Sequence, residues 1–64
     1  MTFREVEKIL NADNWIKISS CGSHFQYRKI GNPNSVTVPN HKGHDLTIGV
    51  LKSIEKVTGL SLRR

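Results

Sequence analysis

The spacing of the apolar residues changes twice along this chain of 64 residues, and that change limits the fold more than any other feature. Near the amino end they recur every three or four positions, which is the period of a helix with one buried face. From Trp15 to Pro39 they recur at every second position, as in strands with one buried face. After Thr47 the helical period returns. The predicted order is therefore a helix, a set of strands and a second helix.

A capping box predicts where the first helix begins. The Thr2 hydroxyl can accept a hydrogen bond from the Glu5 amide, and the Glu5 carboxylate can accept one from the Thr2 amide in return. The polar residues of 11–14 favour turns and should end the helix before Trp15. The residues expected on the core side of this helix are Phe3, Val6, Ile9 and Leu10.

Turn sequences divide the alternating region into three strands. The first turn, 20–23, contains Gly22, and the second, 31–34, contains Pro33. Short turns join neighbouring antiparallel strands, so the region is predicted to be a three-stranded antiparallel meander. The residues expected on its core side are Ile16 and Ile18 in the first strand, Phe25 and Tyr27 in the second, and Val36 and Val38 in the third.

The second helix should begin after the N-cap Thr47 and end at Gly59. Its core side is expected to carry Val50, Leu51, Ile54 and Val57. The predicted fold is α+β, in the order α-β-β-β-α, with two helices packed on one face of a three-stranded antiparallel sheet. A chain this short encloses one core, so residues 1–64 are expected to form a single domain. The uncovered face of the sheet is where a functional site is expected.

The charge of the chain indicates polyanionic partners. Ten Lys and Arg against five Asp and Glu give a net charge of +5 and a pI near 9.9. Such an excess attracts phosphate backbones, although it does not by itself separate RNA from DNA or from an acidic protein. The single Cys21 excludes an intramolecular disulfide and favours a reduced, cytoplasmic protein. The apolar runs are too short for a membrane span or a cleaved leader, so no membrane association is expected.

His24 is the leading candidate for chemistry. It begins the second strand on the polar face, with Arg28 on the same face and Lys17 expected on the neighbouring strand. A neutral imidazole can take the proton of a ribose 2′-hydroxyl, and nearby cations can stabilise charge on the attacked phosphate. The backbone amides of Gly22 and Ser23 can hold a phosphate oxygen. The alternatives are an ordinary surface histidine beside an ordinary hairpin turn.

The loop before the second helix carries further candidates. His41 and His44 lie there with Lys42 and Asp45. They lack the helical spacing of a zinc-binding His-Glu-x-x-His motif, so no metal and no other cofactor is expected. Contact with phosphate, or stabilisation of the loop, is the favoured role, and His41 and Lys42 are predicted to bind RNA. Cys21 is interpreted as a small turn residue, because nothing in the sequence supplies the rest of a cysteine-hydrolase site.

Three segments together resemble the HicA toxins of HicA–HicB toxin–antitoxin systems: Gly22-Ser23-His24, residues 36–46 and residues 49–54. The resemblance covers nearly the whole chain. It implies a fold like that of double-stranded-RNA-binding domains and an endoribonuclease that cleaves mRNA, arresting translation and growth. It also implies that His24 is catalytic and that a HicB-type antitoxin covers the active face. Contact with DNA is expected only through the antitoxin complex.

Two positions depart from the pattern of that family. Asn14 stands where the family commonly has glycine, a mild change because asparagine tolerates a positive φ. Cys21 stands where a long polar or basic side chain is common, so one phosphate contact can be missing.

Three hypotheses for the function follow. The first is a metal-independent ribonuclease in which His24 is the general acid or base, with Lys17, Arg28 and the Gly22–Ser23 turn binding phosphate. The second is a non-catalytic RNA-binding module of the same fold. The third is an interaction protein that meets an acidic partner and does not touch nucleic acid.

Overall fold

A computed structural model describes residues 1–41 and 44–62 of the chain. Its elements in chain order are α1 (Phe3–Ala12), β1 (Ile16–Cys21), β2 (His24–Arg28), β3 (Ser35–Pro39) and α2 (Ile48–Thr58). The predicted α-β-β-β-α order is therefore confirmed. Within the described part of the chain, neither helix is long and apolar enough to cross a bilayer.

Both helices begin at the predicted caps. The Thr2 hydroxyl accepts a hydrogen bond from the Glu5 amide at 3.2 Å, while the Glu5 carboxylate accepts one from the Thr2 amide at 2.8 Å. The Thr47 hydroxyl accepts the Val50 amide at 3.3 Å and begins α2 in the same way. Gly59 ends α2 in the left-handed conformation, with φ of +75°, as a C-terminal glycine commonly does.

The three strands form one antiparallel sheet in the order β1-β2-β3, with β2 in the centre. Phe25 and Tyr27 face the helices, as predicted, and Tyr27 is fully buried. Residues from both helices and from the sheet share one hydrophobic core, which places both helices on that face. The buried core residues are Val6, Leu10, Trp15, Tyr27, Val36, Val38, Leu46, Leu51, Ile54 and Leu62.

The predicted core side of β1 is wrong. Ile16 and Ile18 are 58% and 53% exposed, and it is Lys17 that pairs with the buried Tyr27. Residues paired across an antiparallel ladder point to the same face, so Lys17 lies on the helix side and Ile16 on the open side. The cause is Trp15, whose indole is buried in the core. Because alternate residues share a face, burying Trp15 turns Ile16 outward.

A β-bulge between Lys17 and Ser19 accompanies this arrangement. It adds one residue to β1 relative to β2, so that the alternation of side chains is interrupted at Ile18. Asn14, just before Trp15, has a φ of +68°, and an asparagine adopts that conformation more readily than most residues. Its tolerance of the left-handed region fits the expectation that this departure from the family pattern is mild.

Helix α1 lies along β2 and runs in the same direction. The Phe3 and Phe25 ring centroids are 5.1 Å apart, and further along both elements the Tyr27 hydroxyl donates to the Glu7 carboxylate at 2.5 Å. Beyond β2, the Lys29 ammonium donates to Asp13 at 3.0 Å. The amino end of α1 therefore lies at the end of the sheet where β2 begins. That end is also where His24 is found.

The candidate active site

A two-residue turn positions His24 at the start of β2. Cys21 and His24 are paired across the ladder, and Gly22 between them has a φ of +60°. A positive φ at the first of two turn residues is the geometry of a type II′ hairpin, which favours glycine there. Since Phe25 faces the helices, alternation directs His24 to the open face, and its side chain is exposed.

A backbone hydrogen bond extends the β2–β3 pairing beyond the end of β3. His24 pairs with Pro39, and the next amide, that of Asn40, donates to the Ser23 carbonyl at 2.6 Å. This bond holds the chain leaving β3 against the hairpin turn that precedes β2. The following residue, His41, is thereby brought close to His24.

The two imidazoles form a pair at this end of the sheet. The ring centroids of His24 and His41 are 6.3 Å apart and their planes are nearly perpendicular, at 85°. That separation is within the range of contacting rings. His41 is exposed, and its carbonyl accepts a hydrogen bond from the His44 amide at 2.9 Å.

His41 also lines a cleft that reaches the first turn of α1. The cleft has a volume of about 540 Å³, within the usual range for small-ligand sites. It combines a cation, Arg4, with the imidazole of His44 and the carboxylates of Glu7 and Asp45. The residues lining it are Thr2, Phe3, Arg4, Glu7, Asn40, His41, His44 and Asp45.

The predicted cationic neighbours of His24 lie further away than the sequence indicated. Arg28 is on the same open face, but four residues along a strand correspond to about 13 Å. Lys17 lies on the opposite face, where its ammonium is 5.0 Å from the centroid of the Phe25 ring. The expected placement of Lys17 beside His24 is therefore wrong, for the reason that Trp15 reverses the faces of β1. Lys42 lies outside the described residues.

The turn residues have the expected location beside His24. Gly22 is exposed and Ser23 is half-buried, and the carbonyl of Ser23 is used in holding Asn40. Cys21 is a free, exposed thiol across the ladder from His24. Among residues 1–41 and 44–62, no group of three or more His, Cys, Asp or Glu side chains is arranged to hold a metal ion.

A model of the HicA toxin of bacterial toxin–antitoxin systems matches residues 3–60. The chain belongs to the HicA toxin family. The protein is therefore the toxin of a toxin–antitoxin system, and its partner is an antitoxin. A search of curated proteins finds no match to this HicA chain.

Sequence reasoning did not bring together three residues of the cleft that His41 lines, namely Arg4, Asn40 and His44. The sequence pattern gives Arg4 no functional role, and it places His44 in the loop before α2, with phosphate contact or loop stabilisation as its role. The local pattern that bears on Arg4 is the capping box, because it places Arg4 in the first turn of α1. Their meeting with His41 depends on how α1 packs along β2, which no local pattern encodes.

Proposed function

We propose that this toxin is an endoribonuclease that cleaves mRNA and so arrests translation and growth in the cytoplasm. His24 is the general acid or base. The observation that carries the proposal is the exposed imidazole of His24 on the open face of a HicA-family sheet, next to a second imidazole and a cleft with a cation. A ribose 2′-hydroxyl is the nucleophile that RNA itself provides, so the protein needs to supply proton transfer and charge stabilisation.

The surroundings of His24 support binding of the substrate as well as its cleavage. The Gly22–Ser23 turn and His41 contact phosphates near the cleaved bond, and Lys42 also binds RNA. Arg28 contacts the RNA backbone about 13 Å further along the open face. Lys17 acts at most at the edge of the sheet, since its ammonium is on the helix side.

The antitoxin partner of this toxin is a HicB-type protein that covers the open face. A net charge of +5 favours an acidic partner, and the uncovered sheet face offers the surface. Bound there, the antitoxin blocks RNA from His24. Any contact with DNA is made through the antitoxin complex.

The test is cleavage of a defined mRNA in EDTA by the purified chain and by His24→Ala, with products separated on a denaturing gel. Gln26→Ala is the matched control, because Gln26 lies on the same face of β2 two residues away. We expect His24→Ala to lower cleavage about 10²–10⁴-fold or more while circular dichroism stays unchanged. Gln26→Ala should cleave like the wild type.

Two other outcomes would overturn the proposal. Salt-sensitive RNA binding with no cleavage by the wild-type chain would make it a non-catalytic RNA-binding module, a role that its charge also favours. Equal cleavage by the wild type and His24→Ala would mean that His24 is not the catalytic residue.

A further inference from the structure

The imidazole of His41 beside His24 offers a second group for proton transfer at this end of the sheet. Cleavage of RNA by its own 2′-hydroxyl requires two proton transfers, one from the attacking oxygen and one to the leaving 5′-oxygen. In an in-line displacement these oxygens lie on opposite sides of the phosphorus. Two separate groups, one accepting and one donating, carry out such a reaction without moving a proton around the phosphate.

The geometry of His24 and His41 meets this requirement. With centroids 6.3 Å apart, both rings can reach oxygens of one phosphodiester, and their perpendicular planes direct the ring nitrogens along different lines. His24 begins β2, whereas His41 lies two residues after the end of β3. The hydrogen bond from the Asn40 amide to the Ser23 carbonyl sets the distance between those strand ends.

The position of His41 also connects the paired imidazoles to the cleft. His41 contributes to the wall that includes Arg4 and His44, while His24 faces the open side of the sheet. A phosphodiester held between the two histidines would therefore have one neighbouring nucleotide on the open face and the other in the cleft. Arg28 and Lys17 are too far away or on the wrong face to replace His41 in this role.

We propose that His41 is the second catalytic residue and that His24 and His41 act as an acid and base pair. This inference rests on the ribonuclease function proposed above. The neutral imidazole takes the proton of the 2′-hydroxyl, and O2′ forms a bond to phosphorus. The bond from phosphorus to O5′ breaks, and the other, protonated imidazole gives its proton to O5′. The products are a 2′,3′-cyclic phosphate and a 5′-hydroxyl, with no oxidation or reduction.

The first experiment compares the cleavage kinetics of the wild type, His24→Ala, His41→Ala and the double variant on one RNA site mapped with the wild type. Cys21→Ala is the control, because Cys21 is paired with His24 across the ladder but has no part in the reaction. We expect each histidine variant to lower kcat by about 10²–10⁴-fold. The double variant should be little worse than the poorer single variant, since the pair acts as a unit.

The pH profile separates catalysis by His41 from simple binding or folding. A pair needs one neutral and one protonated imidazole, so kcat of the wild type should be bell-shaped in pH. His41→Ala should lose one limb of the bell, whereas a residue that only binds phosphate would raise KM and leave both limbs. Thermal unfolding should be the same for His41→Ala and the wild type, since His41 is exposed.

A substrate with sulfur in place of the 5′-bridging oxygen assigns the two roles. The thiolate leaving group needs no proton, so the variant that lacks the acid should recover cleavage and the variant that lacks the base should not. Recovery by exactly one of the two variants is the expected result.

Three outcomes have separate meanings. If His41→Ala cleaves the ordinary substrate as fast as the wild type, with the same pH profile, the role of His41 is overturned while the ribonuclease function stands. Products ending in a 3′-hydroxyl and a 5′-phosphate would likewise overturn the pair, because O5′ would then have stayed on phosphorus. If the wild type itself does not cleave RNA, the proposed function fails and the pair fails with it.

Discussion

The β2–β3 pair and the β1 strand border the same open face, but they differ in register and in how well alternation predicts their buried side. In β2 and β3 the register is unbroken, polar and apolar residues alternate, and the alternation correctly predicts which side is buried. In β1 all six residues are exposed, the register shifts at a bulge, and Ile16 is on the side opposite to the one predicted. Alternation is therefore a reliable guide to faces only where the core covers a strand along its length.

The difference also separates the site from the surface beside it. The contacts that bring His24 to His41 are the regular β2–β3 pairing and the hydrogen bond from the Asn40 amide to the Ser23 carbonyl. The irregular strand, β1, supplies Lys17, the residue whose placement the sequence predicted wrongly. A register shift of one residue moves a side chain to the other face of a strand. The register of β1 shifts between Lys17 and Ser19, whereas that of the β2–β3 pair does not shift.

The largest expected effect tests why β1 has its faces reversed. Replacing Trp15 by alanine removes a fully buried indole and should destabilise the fold by about 3–5 kcal/mol. A core of this size supplies only about 3–5 kcal/mol, so Trp15→Ala should be largely unfolded at 25 °C. Far-ultraviolet circular dichroism and urea titration measure this. A Trp15→Ala protein with the urea midpoint of the wild type would contradict the claim that Trp15 decides the faces of β1.

A smaller loss of stability is expected when the hydrogen bond between α1 and β2, from Tyr27 to Glu7, is removed. Burial raises the pKa of the Tyr27 phenol, and the hydrogen bond to the Glu7 carboxylate and its negative charge raise it further. Tyr27→Phe removes that hydrogen bond and should cost about 1 kcal/mol, because the half-exposed Glu7 regains water. Chemical denaturation at neutral pH measures the loss.

Tyr27 should also make the free energy of unfolding depend on pH. A folded-state pKa above the unfolded value means that the neutral phenol stabilises the fold fully below the unfolded pKa of about 10. That contribution is lost as the pH rises from there towards the folded value. The difference in unfolding free energy between wild type and Tyr27→Phe should therefore shrink above about pH 10. An unchanged difference up to pH 11.5 would show that Tyr27 titrates normally in the fold.

The smallest effect is expected on the outer side of β1. Ile16→Thr and Ile18→Thr replace exposed side chains by a residue of similar strand preference, so each should change stability by no more than about 0.5 kcal/mol. Val38→Thr is the matched comparison, since Val38 is fully buried on β3. It should destabilise by about 1–3 kcal/mol, because a hydroxyl enters the core. Equal losses at Ile18 and Val38 would remove the distinction between the two regions.

Much of the fold follows from short-range patterns in the sequence. The Thr2 and Thr47 caps, the Gly59 stop and the inward side of β2 and β3 each depend on residues within a few positions of one another, and the structure has all of them. His24 on the open face belongs to the same group, since it follows from the inward side of Phe25. Such features are local because capping hydrogen bonds and strand alternation act over one turn or two residues.

Patterns within the sequence predict the order of elements, the helix ends, the faces of β2 and β3, and the exposure of His24. Tertiary contacts place Lys17 on the helix side, bring the ring centroids of His24 and His41 to 6.3 Å from each other, and bring Arg4 to the cleft that His41 lines. Lys17 lies on the helix side because Trp15, rather than Ile16, is buried in the core, and His41 lies near His24 because β2 and β3 are paired. Arg4 reaches the cleft because α1 packs along β2. All three arrangements depend on contacts between residues that are distant in sequence.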